Sequence, residues 1–362
     1  MSDRYLTTSE AARRLGVKPA TLYAYVSRGV LRSVRRPGQL ESLYDRAEVD
    51  ALATTPSSAR RESGALLRFR SVVSAVSSQD EQHLYYRGRP IAELCGALPF
   101  AEAARLVLEA ADVDPAVLSV DADRDLLGQL ALNRRLPVAL ALLGARDPMR
   151  ADTTPRALVA RSLGLIEVAP RLFGDSIDLA DDTVQALLVA LIDNGLAAST
   201  TAARVAASAR AGWYDVLSAG LAAMGGRLHG GAALDARLVL REAMTGTPVA
   251  EVVARAVEVH GRVPGFGHVV YRAADPRATA LIGVLRARGR AAAELRALER
   301  LSEAVGAPVN VDGVSAAICQ ARGLPDRAGE ALFQLARTVG ITAHAIEEYA
   351  EAPLRWRARN DG

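Results

Sequence analysis

Val263-Pro264-Gly265-Phe266-Gly267-His268, followed by Asp275-Pro276-Arg277, is the stretch on which the reading of this chain turns. Upstream stands Leu228-His229-Gly230-Gly231-Ala232, and downstream Asn310-Val311-Asp312. Each places one proton-handling side chain in a distinctive local context, two of them rich in glycine. Glycines beside a histidine let the backbone take unusual dihedrals and come close to a ligand. The chain has five histidines, two of them in these motifs. Three such motifs in one chain point to a built active site.

Working outward, Leu84-Tyr85-Tyr86-Arg87-Gly88-Arg89-Pro90-Ile91 precedes a body of helical periods. Apolar residues recur at three- and four-residue spacing over 101–111, 184–192, 216–224, 249–259 and 329–339, which predicts helices there. Alternation suited to a strand is confined to 66–76. Half of the 362 residues are hydrophobic and 4% aromatic, so the core is aliphatic. Ala and Leu dominate, which favours helices. Two cysteines, Cys95 and Cys319, are too few for a disulfide framework and fit a reducing compartment. No apolar run approaches the roughly 20 residues that span a bilayer, and residues 1–8 hold no signal-peptide core. The expectation is a cytoplasmic protein with no membrane contact. No Cys/His cluster has metal-ligand spacing.

The charge is +3, too small to argue nucleic-acid binding by itself, and Lys18 is the single lysine. Arginine binds carboxylates and phosphates in a planar, two-pronged way, although a genome's base composition explains such a bias equally well.

The order and wording of the three motifs resemble the citrate synthase family, which carries L-H-G-G, then G-F-G-H-x-V-Y-x-x-x-D-P-R, then N-V-D. The resemblance covers residues 64–362. It implies an all-α fold of large and small helical domains, the small one near residues 230–325, with sites in the cleft of a homodimer. It implies condensation of acetyl-coenzyme A, or another short acyl-coenzyme A, with oxaloacetate to citrate or a 2-alkyl citrate, an activity of the tricarboxylic acid cycle. The thioester is a substrate, and no bound cofactor is implied. Asp312 matches the family's base, His229 the donor to the enol oxygen, and His268 the donor to the keto oxygen. Arg277 and Arg337 match arginines that hold the two carboxylates. Arg355, in Leu354-Arg355-Trp356-Arg357-Ala358, matches a third, which in the family reaches into the partner subunit's site, and Phe333 matches an aromatic over the substrate. His344 reads as structural.

The chain departs from the family in three places. Asn194, in Asp193-Asn194-Gly195-Leu196-Ala197-Ala198-Ser199-Thr200, stands where a histidine also holds the keto dicarboxylate. The stretch from Arg277 to Asn310 looks short, and Gly313 stands where a larger residue often follows the base.

Residues 1–53 form a separate reading, joined by a polar linker at 54–63. Thr8 or Ser9 can cap a short helix with Ala11, Ala12 and Leu15 on one face. Gly16 makes a turn, and Pro19 opens a second helix. This layout resembles the winged helix–turn–helix of mercury-resistance-type regulators and excisionases. It implies contact with double-stranded DNA through Lys18, Thr21, Tyr23, Tyr25 and Arg28, and through a basic wing including Arg32, Arg35 and Arg36. Two functions stay open: an acyltransferase, and a metabolite-sensing regulator whose body binds without turnover.

Overall fold

In the computed structural model, residues 5–17, 22, 31, 33–35 (backbone), 42–46, 49–50, 72–80, 82–271 and 273–356 are described. The chain divides into two units, Met1–Val73 and Ser74–Gly362.

In the first unit, β1 (Tyr5–Thr7) leads directly into α1 (Thr8–Leu15). The cap is Thr7, not Thr8 or Ser9. Its hydroxyl accepts the Glu10 backbone N–H, and the Glu10 carboxylate accepts the Thr7 N–H. Thr8 and Ser9 lie inside the helix because Glu10, three residues on from Thr7, completes this reciprocal pair. Gly16 ends the helix in the left-handed region. Two further strands, β2 (Ser33–Arg35) and β3 (Ser42–Asp45), form an antiparallel ribbon, with β1 on the other side of β3. Leu6, Ala11, Ala12, Leu15, Leu22, Leu31, Tyr44 and Val49 make one core. The helix and the ribbon fall where the winged helix–turn–helix reading expects its first helix and its wing. Lys18, Thr21, Tyr23, Tyr25, Arg28, Arg32 and Arg36 lie outside the described residues, and Arg35 is described by its backbone alone, opposite Ser42.

The second unit opens with a small antiparallel sheet of β4 (Ser77–Gln79), β5 (Leu84–Tyr86) and β6 (Arg89–Pro90). The strand expected over 66–76 is not formed at Val72–Val76, and 66–71 lie outside the described residues. Pairing begins at Ser77, where Tyr86 provides the partner backbone; Val73, one of the apolar residues of that alternation, is exposed.

Helices follow: α2 (Ile91–Leu94), α3 (Phe100–Leu108), α4 (Arg124–Gly128), α5 (Leu132–Arg146), α6 (Pro155–Phe173), α7 (Asp182–Leu191), α8 (Ala198–Ser208) and α9 (Trp213–Met224). Then come α10 (Ala232–Met244), α11 (Val249–His260), α12 (Pro276–Ala287), α13 (Ala292–Val305), α14 (Val311–Ala321) and α15 (Ala328–Ala350). The five helical periods read from the sequence fall on α3, α7, α9, α11 and α15.

The last helix is the axis of the unit. Ala331 to Ala345 are all buried, and α3, α5, α6, α7, α8 and α9 pack around them. A helix surrounded on every side needs apolar or small residues all round, and Leu332-Phe333, Leu335-Ala336, Val339-Gly340-Ile341 and Ala343 provide them. The same burial makes its polar residues, Arg337, Thr338, Thr342 and His344, conspicuous. Helices α10, α11, α13 and α14 pack largely on one another, while α12 leans mainly on α7 and α2; the turn before α10, the loop before α12 and the first turn of α14 carry His229, His268 and Asp312.

Candidate active site

The loop of Val263–His268 is fastened to the start of α14. Asn310 N–H donates to Gly265 O at 3.0 Å, Gly267 N–H to Pro308 O at 2.8 Å, and Asn310 Nδ2 to Gly267 O at 2.8 Å. Asn310 also caps α14, its Oδ1 accepting the N–H groups of Asp312 at 3.0 Å and Gly313 at 3.2 Å. One asparagine therefore ties the histidine loop to the helix turn bearing Asp312. The approach is close enough to require glycine on both sides. Gly265 sits at φ +89°, and a Cβ on Gly313 would lie 2.7 Å from Gly265 O. This explains the small residue after Asp312.

Asp275 makes the second fastening. Its carboxylate holds Arg277 through Nε at 3.0 Å and Nη2 at 2.8 Å. It also caps α12 through the Arg277 N–H and accepts the Val311 N–H at 3.0 Å. Burial would raise this carboxyl, but Arg277 outweighs it and holds Asp275 below the usual carboxylate range. His268 lies beside the pair. Its Nδ1 accepts the N–H groups of Val270 at 3.1 Å and Tyr271 at 3.3 Å, which leaves the neutral ring's proton on Nε2. Nε2 is 3.3 Å from Arg277 Nη2. The Arg277 N–H points at Nε2, so an oxygen acceptor entering here would take the Arg277 hydrogen and free Nε2–H to donate beside it. Burial, then the Arg277 charge, lowers the His268 pKa.

His229, in the turn between α9 and α10, has Nε2 2.8 Å from Ser199 Oγ. Its ring meets Phe333 edge-on at 5.4 Å. Burial, then the charges of Arg337 and Arg277, push its pKa down to about 4, so the ring is neutral at neutral pH. Arg337 lies over the Phe333 ring at 4.9 Å. Its Nε donates to Leu191 O at 3.2 Å, while both Nη groups are buried with no hydrogen-bond partner. Asp312 is partly buried, and no described residue hydrogen-bonds its carboxylate. Burial, joined by the Asp275 charge, pushes its pKa up to about 6 against the pull of Arg277 and Arg262.

Asn194 joins this group through Tyr271, whose hydroxyl donates to Asn194 Oδ1 at 2.6 Å and whose ring lies 4.7 Å from that of His268. The structure thus brings His229, His268, Asp312, Arg277, Arg337, Phe333 and Asn194 into one neighbourhood. Arg355 is engaged elsewhere. It forks onto Glu348 with two contacts of 2.6 Å and packs on Trp356. Glu348 continues to Arg204, Arg204 to His344 and His344 to Asp193. His344 is fully buried in this charge network, as its structural reading requires.

Sequence reasoning missed Asp275, Asn310, Ser199 and Tyr271. An Asp before Pro276 and an Asn two residues before Asp312 are capping signals, so the first two were findable. Ser199 and Tyr271 act on residues far away in sequence and gave no local signal. Among the described residues no cluster of His, Cys, Asp or Glu could hold a metal ion, and no helix is long and apolar enough to cross a membrane.

The fold and site define an enzyme-like helical body behind a helix–turn–helix module. Residues 160–359 match the family described as citrate synthase, C-terminal domain, and residues 5–55 the one described as helix-turn-helix domain. The chain belongs to the citrate synthase family. It is 34% identical over 190 residues to the citrate synthase of Haloferax volcanii, half of each chain, and 33% identical over 175 residues to the citrate/2-methylcitrate synthase of Bacillus subtilis, 46% of this chain and 47% of that one. The chain thus spans about half the length of the curated relatives it matches. Among solved structures, the citrate synthase of Thermotoga maritima has a TM-score of 0.65 at 24% identity, over 82% of this chain and 94% of that one. The Thermoplasma acidophilum citrate synthase, in ternary complex with carboxymethyl coenzyme A and oxaloacetate, has a TM-score of 0.67 at 21% identity, over 81% and 93%. These likenesses carry the mostly helical fold of citrate synthases.

Proposed function

We propose that the body condenses a short acyl-coenzyme A, acetyl or propionyl, with oxaloacetate, releasing coenzyme A and citrate or 2-methylcitrate. The observation that carries this is Arg337. A buried guanidinium with both Nη groups unpartnered lacks the anion that buried charge demands. Asp193 lies near enough to be felt by it, but its Oδ2 is bonded to Ser77 and His344 and its buried Oδ1 makes no hydrogen bond to Arg337. A substrate carboxylate completes Arg337, and a second oxygen is received by Arg277 and His268 Nε2–H. A keto dicarboxylate has both.

In this reading, Asp312 takes the proton from the carbon beside the thioester carbonyl. Ser199 O–H donates to His229 Nε2, which leaves the His229 proton on Nδ1, available to the enol oxygen. The enol carbon attacks the keto carbon, and the keto oxygen is stabilised by His268 Nε2–H. Water then cleaves the acyl thioester, freeing the thiol. Helices α10–α14 are taken as the small domain, and the active form as a homodimer in which Arg355 of each chain reaches into the site of the other subunit. The test is thiol release with oxaloacetate and acetyl-coenzyme A, repeated with propionyl-coenzyme A. Silence with both refutes the reading, and the faster thioester names the acyl chain.

The helix–turn–helix unit supports a second role, DNA binding in the cytoplasm by a dimer with two half-sites. Turnover in the first assay excludes a body that only senses. Loss of DNA binding on deleting residues 1–55, with condensation intact, places the two roles in separate units.

A further inference from the structure

Tyr271 occupies a position that the reading above does not use. Three segments far apart in sequence meet at its hydroxyl. Asn194 Oδ1 is 2.6 Å away and Gln79 Oε1 3.0 Å. Its ring packs on His268 at 4.7 Å, and its own backbone N–H is one of the two donors to His268 Nδ1. Tyr271 thus touches both His268 and Asn194, the two groups matched to the keto acid.

A phenol has one hydrogen to give. The closer acceptor, Asn194 Oδ1 at 2.6 Å, receives it, and Gln79 Oε1 at 3.0 Å is the longer, competing acceptor. An asparagine whose oxygen is held in this way turns its NH₂ group to the opposite side. Left alone, a carboxamide presents either end; held by Tyr271, it presents donors only. Burial pushes the phenol up to about 12, so the hydroxyl keeps its proton throughout the working range.

Resting on the keto-acid reading of the site, we propose that Tyr271 is the positioning residue of the acceptor pocket. Its hydroxyl locks the Asn194 carboxamide with the nitrogen toward the acceptor, and its N–H and ring keep His268 donating from Nε2. The pocket selects an acceptor that offers only oxygen lone pairs at this point, a 2-keto dicarboxylate, and rejects an analogue carrying a hydroxyl or amine donor there. The lock replaces a charged contact with a neutral donor of fixed direction.

The experiment measures oxaloacetate binding directly by calorimetry on the full chain, beside its KM in the thiol-release assay. Tyr271→Phe keeps ring and backbone and removes only the donor. It is expected to weaken oxaloacetate roughly five- to tenfold, with kcat and the KM for acyl-coenzyme A changed less than twofold. Asn194→Ala is expected to weaken it similarly, and the double variant no further, because the two side chains act as one unit. Gln79→Ala is expected to leave affinity within twofold. Unchanged affinity in Tyr271→Phe, or effects that simply add, overturns the proposal. So does a Gln79→Ala loss equal to that of Tyr271→Phe, which would send the proton to Gln79. A chain that binds oxaloacetate in this pattern but releases no thiol keeps the lock and sinks the condensation reading. A chain that binds no 2-keto dicarboxylate sinks both.

Discussion

The carboxylate of Asp275 accepts the backbone N–H of Val311 at 3.0 Å, one residue before Asp312. Because the same carboxylate grips Arg277, one buried anion fixes the candidate substrate arginine and the candidate base relative to each other. Asp275→Asn removes one partner of a buried ion pair, which costs about 3–5 kcal/mol. The folded-state pKa of Asp275 is depressed. Its contribution is therefore present above the unfolded carboxylate value, near about 3.9, and is lost as pH falls through the folded value. Urea unfolding should show the full gap between wild type and variant at pH 7 and a shrinking gap in acid. A gap below about 1 kcal/mol at pH 7, where an exposed pair would fall, removes Asp275 from this role.

Asp312 makes three linked predictions. Asp312→Asn keeps the shape and loses the proton acceptor, so the chemical step should slow about a hundredfold or more. With its pKa raised to about 6, the wild-type rate should fall as pH drops below that value. His229, at about 4, titrates too low to account for such a limb. A raised carboxyl also means that the folded state holds its proton to higher pH than the unfolded chain. Stability is therefore lost as pH rises toward about 6, and Asp312→Asn, without that loss, should melt higher than wild type at pH 7.5. An acid limb surviving in a variant with residual activity, or a lower Tm, contradicts the assignment.

The motifs named the chemical groups, and the structure supplied their fastenings. His229, His268 and Asp312 were legible because each stands in an unusual local string. The helices were legible because apolar residues repeat at helical spacing along α3, α7, α9, α11 and α15. What was not legible depends on partners distant in the chain. Gly313 looked anomalous until Gly265 O was seen beside it. Arg355 was matched to a substrate arginine by its motif, and its fork onto Glu348, seven residues earlier, was not legible. Thr7 was passed over for Thr8 and Ser9, although Glu10 stood at the spacing that identifies the cap.

Gly313→Ala tests the fit between the histidine loop and α14. The added methyl would sit 2.7 Å from Gly265 O and 2.8 Å from Val309 Cγ1, and backbone cannot rotate away as a side chain can. Overpacking of this kind costs about 1–3 kcal/mol. Activity should suffer more than stability, because the displaced strand carries Asn310 and hence both Asp312 and the His268 loop. Denaturation at 25 °C and kcat in the same preparation settle it. A variant with wild-type stability and rate would mean that the two backbones are not pressed together.

For the N-terminal unit, the predicted observable is salt. If Arg28 and the wing of Arg32, Arg35 and Arg36 neutralise phosphates, the logarithm of affinity should fall linearly with the logarithm of salt, with a slope of about −0.9 per phosphate contact. Replacing one of these arginines by alanine should reduce the slope by about one. No retardation of genomic fragments at low salt ends the DNA-binding proposal.

Asn194 is where this chain differs most in chemistry from the family pattern, and Asn194→His is the sharpest test. Hydrogen bonds involving a charged group contribute about 1.5–3 kcal/mol and neutral ones roughly 0.5–1.5. A protonated imidazole at 194 should therefore tighten oxaloacetate about five- to thirtyfold. Tyr271 decides when that gain appears. While its hydroxyl donates to residue 194, the new ring must accept on one nitrogen and so remains neutral, giving little over asparagine. Protonation requires the hydroxyl to turn its hydrogen to Gln79, 3.0 Å away. The gain should accordingly grow as pH falls below about 6.5, the ordinary histidine range, and be small at pH 8. Calorimetry across that range reads this directly, without the acid limb of Asp312 in the way. Tightening that is independent of pH, or weaker binding throughout, would show that Tyr271 does not control what residue 194 offers the acceptor.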